Sequence, residues 1–398
     1  MSLDQLTPHA KVGKFILEAQ LMKNERFVLW GAHHSVTSQE VSIKVYSKKF
    51  LAIDNNKEYF ENDLYCLKTF FHPFIAKYIT KLEDSKFVYI VLEPMRGGTF
   101  KELLEAKTRW NEAQARPYFA QLYFIIEYMQ TQMNMIHGNL CLDILMVDEN
   151  NVIRCVDFWG TQPNSGSAAC GTQLFAPLPF QPPEYLVANS YSAAADFWDL
   201  GIFLYYCVVG GSPFPMDNKE TITGMIVAYP NFLSQSIIDL FKKLITASPA
   251  HRYNTRDIKE HPWFAKTLYQ LLVPFLAQND QFSNEVFDSI KAFANEEQIQ
   301  NELLSNQETD GVIIYNIAKS VYNANQVFKA ISHISFSPGD GRKVSLDSDH
   351  SLTKSGSLSS FGSKEQVKVK PVALQLSRPV PIASRRGSKV LPNLPKIQ

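Results

Sequence analysis

The sequence predicts an α+β protein of two lobes, a small β-rich N-terminal lobe and a larger helical C-terminal lobe, followed by a small helical module and a disordered tail. Three observations predict it. Between residues 15 and 93, β-branched and aromatic runs are short and bounded by polar turns. From residue 97 onward the apolar residues recur at helical spacing. After residue 331 the composition turns to Ser, Lys, Pro and Gly with few aromatics, too little apolar area to offset the entropy of ordering.

Taken in order, "FVLW", "EVSIKVY" and "FVYIVLE" read as strands. Between the second and third, Tyr59, Phe60, Leu64, Leu67 and Phe71 have the spacing of an amphipathic helix. "GGTFKELLEAK" opens the helical part, and "NEAQARPYFAQLYFIIEYMQTQMNMI" is long, strongly apolar and expected to be buried. The Gly/Pro/Ser-rich stretch "GTQPNSGSAACGTQLFAPLPFQPPE" excludes a regular element. Helices resume with "AAADFWDLGIFLYYCVVG" and "SQSIIDLFKKLI", and three more short amphipathic helices are expected between residues 283 and 331. No internal repeat is visible.

The composition bounds the function. The chain has 398 residues, 45% of them hydrophobic and 20% charged, a soluble globular profile with room for more than one domain. Its formal charge is zero, which argues against bulk nucleic-acid binding. The charge is uneven: residues 331–398 hold 11 Lys/Arg against 4 Asp/Glu, a net of +7 that leaves −7 on the rest. Such a tail is either solvated or touches an acidic partner or a membrane face. The five cysteines, Cys66, Cys141, Cys155, Cys170 and Cys207, show no paired or metal-type spacing and read as small buried hydrophobes of a reducing compartment. No signal core opens the chain, and no apolar run approaches the ~18 residues of a membrane helix. An intracellular protein is expected, cytoplasmic, with the nucleus as the alternative.

Several short stretches carry chemistry. "VSIK" ends on Lys44, "MIHGNLCLDILMVD" surrounds His137, "DFW" begins at Asp157, "PPE" ends on Glu184, "DFWDLG" contains Asp196, and "HRYNTRDIKEHPWF" closes the helical lobe. In this order they resemble the eukaryotic protein kinase domain, over residues 12–264. The closing His-Pro-Trp-Phe and the helices after it are similar to the calmodulin-dependent and AMP-activated-like serine/threonine branch. There, a ubiquitin-associated-like module would occupy residues 280–330 and the disordered tail residues 331–398. A generic helical extension is the alternative for the module.

The resemblance implies a phosphoryl-transfer site, and much of it is altered. Phosphoryl transfer needs backbone close to the phosphates, charge neutralisation, metal ligands and a group to orient the hydroxyl. No glycine lies within residues 14–30, where the phosphate cover would fall. Lys44 is kept, and counting back from "HPF" puts its carboxylate partner at Asp63, one methylene shorter than the family's Glu. His137 is the loop histidine, and Gly138 stands where loop-regulated kinases have Arg. Asn139 occupies the position of the catalytic Asp, where an amide accepts a hydrogen bond but takes no proton at neutral pH. Cys141 replaces the loop lysine, and Ile144 replaces the metal-binding Asn with a hydrocarbon that cannot ligate Mg²⁺. Asp157 is left as the metal ligand, followed by Phe158 and by Trp159 in place of a glycine. The base would meet the hinge at Glu93 and Met95, beside the gatekeeper-like Leu92 and above Met146.

The scaffold is better kept. By resemblance, Leu67, Tyr78, His137 and Phe158 would stack between the lobes, Asp196 would anchor them, and Glu184 would pair with Arg252. The reading is an inactive kinase fold, a pseudokinase acting as scaffold or allosteric partner of signalling kinases or their substrates. ATP and Mg²⁺ would bind weakly or not at all. The alternative is a divergent active serine/threonine kinase using Asn139 and one Mg²⁺ on Asp157. A small-molecule kinase is disfavoured by "PPE" and "HPWF". The segment from Cys170 to Glu184 is longer than the family's, with Thr172 nearest the family threonine. In the tail, "RKVS" and "RRGS" mark Ser345 and Ser388 as phosphoacceptors for another kinase, with chance motifs in a Ser-rich tail as the alternative.

Overall fold

The structure is a computed structural model, and it describes residues 6–166, 169–170, 174–264, 282–305 and 307–332. Thr172, Ser345, Ser388 and residues 333–398 of the expected tail lie outside the described residues, while the first two residues of that expected tail, Ile331 and Ser332, belong to a helix.

Alternating and continuous apolar runs build the small lobe. Six strands, β1 (Lys11–Val12), β2 (Phe15–Lys23), β3 (Val28–His34), β4 (Glu40–Ser47), β5 (Tyr78–Glu83) and β6 (Phe87–Leu92), form one antiparallel sheet in the order β1-β2-β3-β4-β6-β5. In β6, "FVYIVL" is buried throughout because it is covered on both faces. A short helix α1 (Lys48–Leu51) leads to α2 (Asn56–Thr69), which buries Phe60, Asp63, Leu64 and Leu67 against the sheet. Phe71 lies beyond that helix and is exposed, because the chain turns extended at Phe70 ahead of Pro73.

The larger lobe is nucleated by well-capped helices. A capping box of Thr99 and Glu102 starts α3 (Phe100–Glu105), and one of Asn111 and Gln114 starts α4 (Glu112–Thr131). The short strand β7 (Met135–Ile136) enters the loop to the hairpin β8 (Leu145–Val147) and β9 (Ile153–Cys155), and β10 (Gln162–Pro163) returns to pair with β7. Helix α5 (Pro183–Ala188) precedes α6 (Ala194–Val209), which is apolar on nearly every side and forms the centre of the lobe. Helices α7 (Lys219–Thr223), α8 (Gln235–Leu244) and α9 (Thr255–Glu260) complete it. The bidentate pair of Arg252 and Glu184, 2.8 and 2.9 Å, ties the end of this lobe to α5, with the Arg252 side chain fully buried.

Among the described residues three further helices follow, α10 (Asn284–Asp288), α11 (Glu296–Leu304) and α12 (Asp310–Ser332). Their shared core holds Val286, Phe287, Ile290, Ile299, Ile314 and Tyr315. The expectation of three short helices fails for the last, which runs 23 residues because nothing after Gly311 breaks it. Ile317 of α12 is buried in the small lobe's outer core with Val12, Phe15 and Trp30. Thr80 and Tyr78 both donate to Glu308, and Gln39 donates to the Ile314 carbonyl. The helices thus join the same compact unit as the two lobes.

Candidate functional site

The loop from β2 to β3 explains the missing glycines. Asn24 Oδ1 accepts the backbone N–H groups of Arg26 and Phe27, both at 2.9 Å, and closes a side-chain-held turn. No residue of that turn has positive φ, so nothing in it requires glycine. The turn aims Arg26 between the lobes. Its guanidinium meets Asp157 Oδ2 at 2.5 Å, with Arg26 14% exposed and Asp157 fully buried.

Asp157 is the centre of a closed network. Lys44 Nζ donates to Asp63 Oδ2 at 2.8 Å and to the Val156 carbonyl at 2.7 Å, and stands 3.5 Å from Asp157 Oδ1. Asp63 reaches Lys44 in spite of its short side chain, and it also accepts from the Tyr46 hydroxyl at 2.8 Å and the Phe158 amide at 2.7 Å. Asn139 Nδ2 donates to Asp157 Oδ2 at 3.2 Å, while Asn139 Oδ1 is buried with no hydrogen-bond partner among the described residues. Phe27 lies 4.2 Å from Lys44 Nζ across its ring face. Two cations, Arg26 and Lys44, face two anions, Asp63 and Asp157. Burial opposes ionisation of Asp157, but the adjacent guanidinium and ammonium outweigh it and hold the carboxyl below its ordinary value. Burial likewise works against the Arg26 charge, and Asp157 overrides it and raises its pKa. Asp63 moves the other way, raised by its complete burial.

The sequence expectations fall on this network unevenly. Lys44, Asp63, Asn139 and Asp157 come together. Ile144, 1% exposed, is buried in the main apolar core and offers only hydrocarbon. Leu92, Met95 and Met146 are fully buried, in one continuous apolar core with Met22 and Leu29 of β2 and β3 and Phe27 of the loop between them. Glu93 faces away from the cleft. Its Oε1 takes the Lys77 amide and pairs with Arg154 Nε at 3.0 Å, and Arg154 also binds Asp148 at 2.8 Å. The hinge amides are spent internally: Glu93 N–H donates to the Lys77 carbonyl, and Met95 N–H donates to Ser42 Oγ at 3.1 Å. Pro94 has no N–H to offer.

The loop around His137 is held from below. Asp196 accepts the backbone N–H groups of His137 and Gly138, both at 3.1 Å, and the Gln130 amide at 2.9 Å. Burial alone would neutralise Asp196, and it raises the carboxyl despite these donors. His137 packs 5.3 Å from the Phe158 ring, and burial pushes its pKa down to about 4. Gly138 has φ +75°, and a Cβ there would lie 2.4 Å from the Gly160 carbonyl oxygen. The absence of an arginine at 138 is therefore a backbone requirement of this loop. Trp159 is buried against Tyr46, stacked at 5.8 Å, and against Tyr59 and Phe50 from α2 and α1. Cys66, Cys141, Cys155 and Cys207 are free and buried.

Sequence reasoning missed Arg26 and Ser42. The signals were there in outline, an Asn-Glu-Arg-Phe turn between two strand-like runs and a hydroxyl two residues before Lys44, but pairing across 131 residues leaves no local trace.

Comparison with known proteins agrees with this architecture. The family profile described as "Protein kinase domain" matches residues 28–264, more than half of the chain. Serine/threonine-protein kinase kin-29 of Caenorhabditis elegans is 28% identical over 64% of this chain and 31% of its own length. Aurora kinase of Debaryomyces hansenii is 26% identical over 66% of this chain and 64% of its own. The carbon catabolite-derepressing protein kinase of Candida glabrata is 24% identical over 83% of this chain and 52% of its own. The chain thus spans less than two thirds of each of these relatives. With the two-lobed fold, the ordered motifs and the profile match together, the chain belongs to the eukaryotic protein kinase family.

Proposed function

We propose that this chain is a pseudokinase, a protein-kinase fold that acts as a scaffold or allosteric partner of other signalling proteins and binds ATP weakly or not at all. Proteins of this family generally use ATP with Mg²⁺, so the residues must be tested against that group. One observation carries the reading: Arg26 neutralises Asp157 from within the chain. A cation-binding carboxylate already paired with a guanidinium and an ammonium has little net attraction left for a metal ion. Ile144 offers no oxygen as a second ligand, and the described residues contain no cluster of three or more His, Cys, Asp or Glu suited to a metal. In the hinge, the Met95 N–H is already bonded to Ser42 and the Glu93 N–H to the Lys77 carbonyl. The residues present do not fit a nucleotide with two magnesium ions, and no transfer step is drawn through them.

One observation favours a second reading, a divergent active serine/threonine kinase. The Lys44–Asp63 pair is formed at 2.8 Å, as a phosphate-positioning lysine would need. Transfer of radiolabelled phosphate from ATP decides between them. The pseudokinase reading expects no incorporation by the wild type. Incorporation abolished by both Lys44→Met and Asp157→Ala would overturn it. The scaffold role implies protein partners in the cytoplasm or nucleus. No described helix is long and apolar enough to cross a membrane.

A further inference from the structure

A cavity of about 430 Å³ opens behind the hinge, between the kinase lobes and α12. That volume is in the range of ligand-binding clefts. Its lining is divided by chemistry. Four carboxylates, Glu40, Glu93, Asp148 and Glu149, face one guanidinium, Arg96. Glu93 and Asp148 are engaged by the buried Arg154, and Arg96 reaches Glu40. Glu149 is exposed at the mouth. Apolar surface comes from Pro94 of the hinge and from Val321 and Ala324 of α12, with Ser289 also in the lining. A cleft with an anionic side and an aliphatic side suits a short segment carrying cations next to an aliphatic residue.

The chain supplies one within reach. Helix α12, which lines the cavity through Ala324, ends at Ser332, and "RKVS" begins ten residues later at Arg342. Eight helical residues from Ala324 to Ser332 span about 12 Å. Ten extended residues can return across as much as ~33 Å. The segment pairs two cations, Arg342 and Lys343, with aliphatic Val344 and with Ser345. We infer that residues 342–345 dock in the cleft between the hinge and α12, their cations toward the exposed Glu149 and the neighbouring Glu40, which Arg96 shares, and Val344 toward Val321 and Ala324. Phosphorylation of Ser345 releases them. A phosphate adds a charge of about −1.5 to −2 beside carboxylates, so the modified segment is repelled from the wall that held it. The inference rests on the cavity and the charge pattern, and it is independent of whether the cleft between the lobes transfers phosphate.

Zero-length carbodiimide cross-linking of the full chain, followed by mass spectrometry, tests it. The exposed Lys101–Asp143 pair, 3.2 Å apart, serves as an internal control. Cross-links of Lys343 to Glu40 or Glu149 are expected within one chain, falling at least tenfold after stoichiometric phosphorylation of Ser345 by a basophilic kinase. Absence of these links while the Lys101–Asp143 link forms would overturn the docking. Links formed only between isotopically labelled and unlabelled copies would overturn the arrangement within one chain. A fluorescent peptide of residues 341–347, titrated into the full-length Arg342→Ser/Lys343→Ser variant, provides a second arm. The expected result is at least tenfold weaker binding of the Ser345-phosphorylated peptide and of the unmodified peptide to a variant that also carries Glu40→Gln/Glu149→Gln. Equal affinity in either comparison would refute the site.

Discussion

Arg26 and Asp157, 131 residues apart, form a 2.5 Å ion pair at the centre of the molecule, with the carboxylate fully buried. The pair closes the cleft electrostatically, because Lys44 and Asp63 supply one further charge of each sign beside it.

Breaking it should expose a strong coupling. Arg26→Gln leaves Asp157 buried with one cation in place of two, and Asp157→Asn leaves the guanidinium uncompensated. Each single substitution should cost about 3 kcal/mol, the scale for removing one partner of a buried pair. The double variant should recover most of that loss. Urea unfolding of the four proteins measures it; additive losses would show that the two side chains do not act as a unit.

Restoring the family's acid at 139 should harm the fold rather than revive a reaction. Asn139 Nδ2 donates to Asp157 Oδ2 at 3.2 Å. Asn139→Asp sets two carboxylates against each other there, and the introduced acid can ionise only with difficulty. Its folded pKa lies above its unfolded value, so the variant should approach wild-type stability in acid and fall behind as the pH rises past about 4. A variant as stable as wild type at pH 7, or one that gains phosphate transfer, would contradict this.

Arg252 should matter more for stability than its place on a helical lobe's edge suggests. Its guanidinium takes both Glu184 oxygens and the Ala194 and Thr246 carbonyls. Arg252→Met should cost roughly 3–5 kcal/mol. A loss under 1 kcal/mol in chemical denaturation would remove the pair from the account.

Acid should destabilise the fold from about pH 6.5 downward through two buried histidines. Burial lowers His72 to about 3 and His137 to about 4, both from an ordinary 6.5. Both are neutral in the folded chain, so the unfolded chain binds protons first. Stability is complete above pH 6.5 and declines as the pH falls toward 4. For His137 the depression corresponds to roughly 3 kcal/mol. His72→Asn should flatten the Tm–pH profile between pH 6.5 and 4; an unchanged slope would contradict the assignment.

Much of the architecture was legible in the chain. Continuous "FVYIVL" marks a strand covered on both faces, and the polar breaks around "SQSIIDLFKKLI" mark a helix. The positions of Lys44, Asn139, Ile144 and Asp157 were legible too, because motifs fix them locally. Arg26 was not. Its loop was recognisable by what it lacked, glycine, but the partner of an arginine depends on how two lobes close. The place of Glu93 in the hinge could be read from the chain, but not that Arg154, 61 residues on, holds its carboxylate. The length of α12 was missed because its polar residues look like breaks when its apolar stripe faces two different cores at once.

Calorimetric titration of ATP with Mg²⁺ into the full chain tests the central claim, that the chain's own arginine takes the place of a metal at Asp157. The account predicts no saturable heat at millimolar nucleotide for the wild type. Micromolar, magnesium-dependent binding that disappears in Asp157→Asn would contradict it.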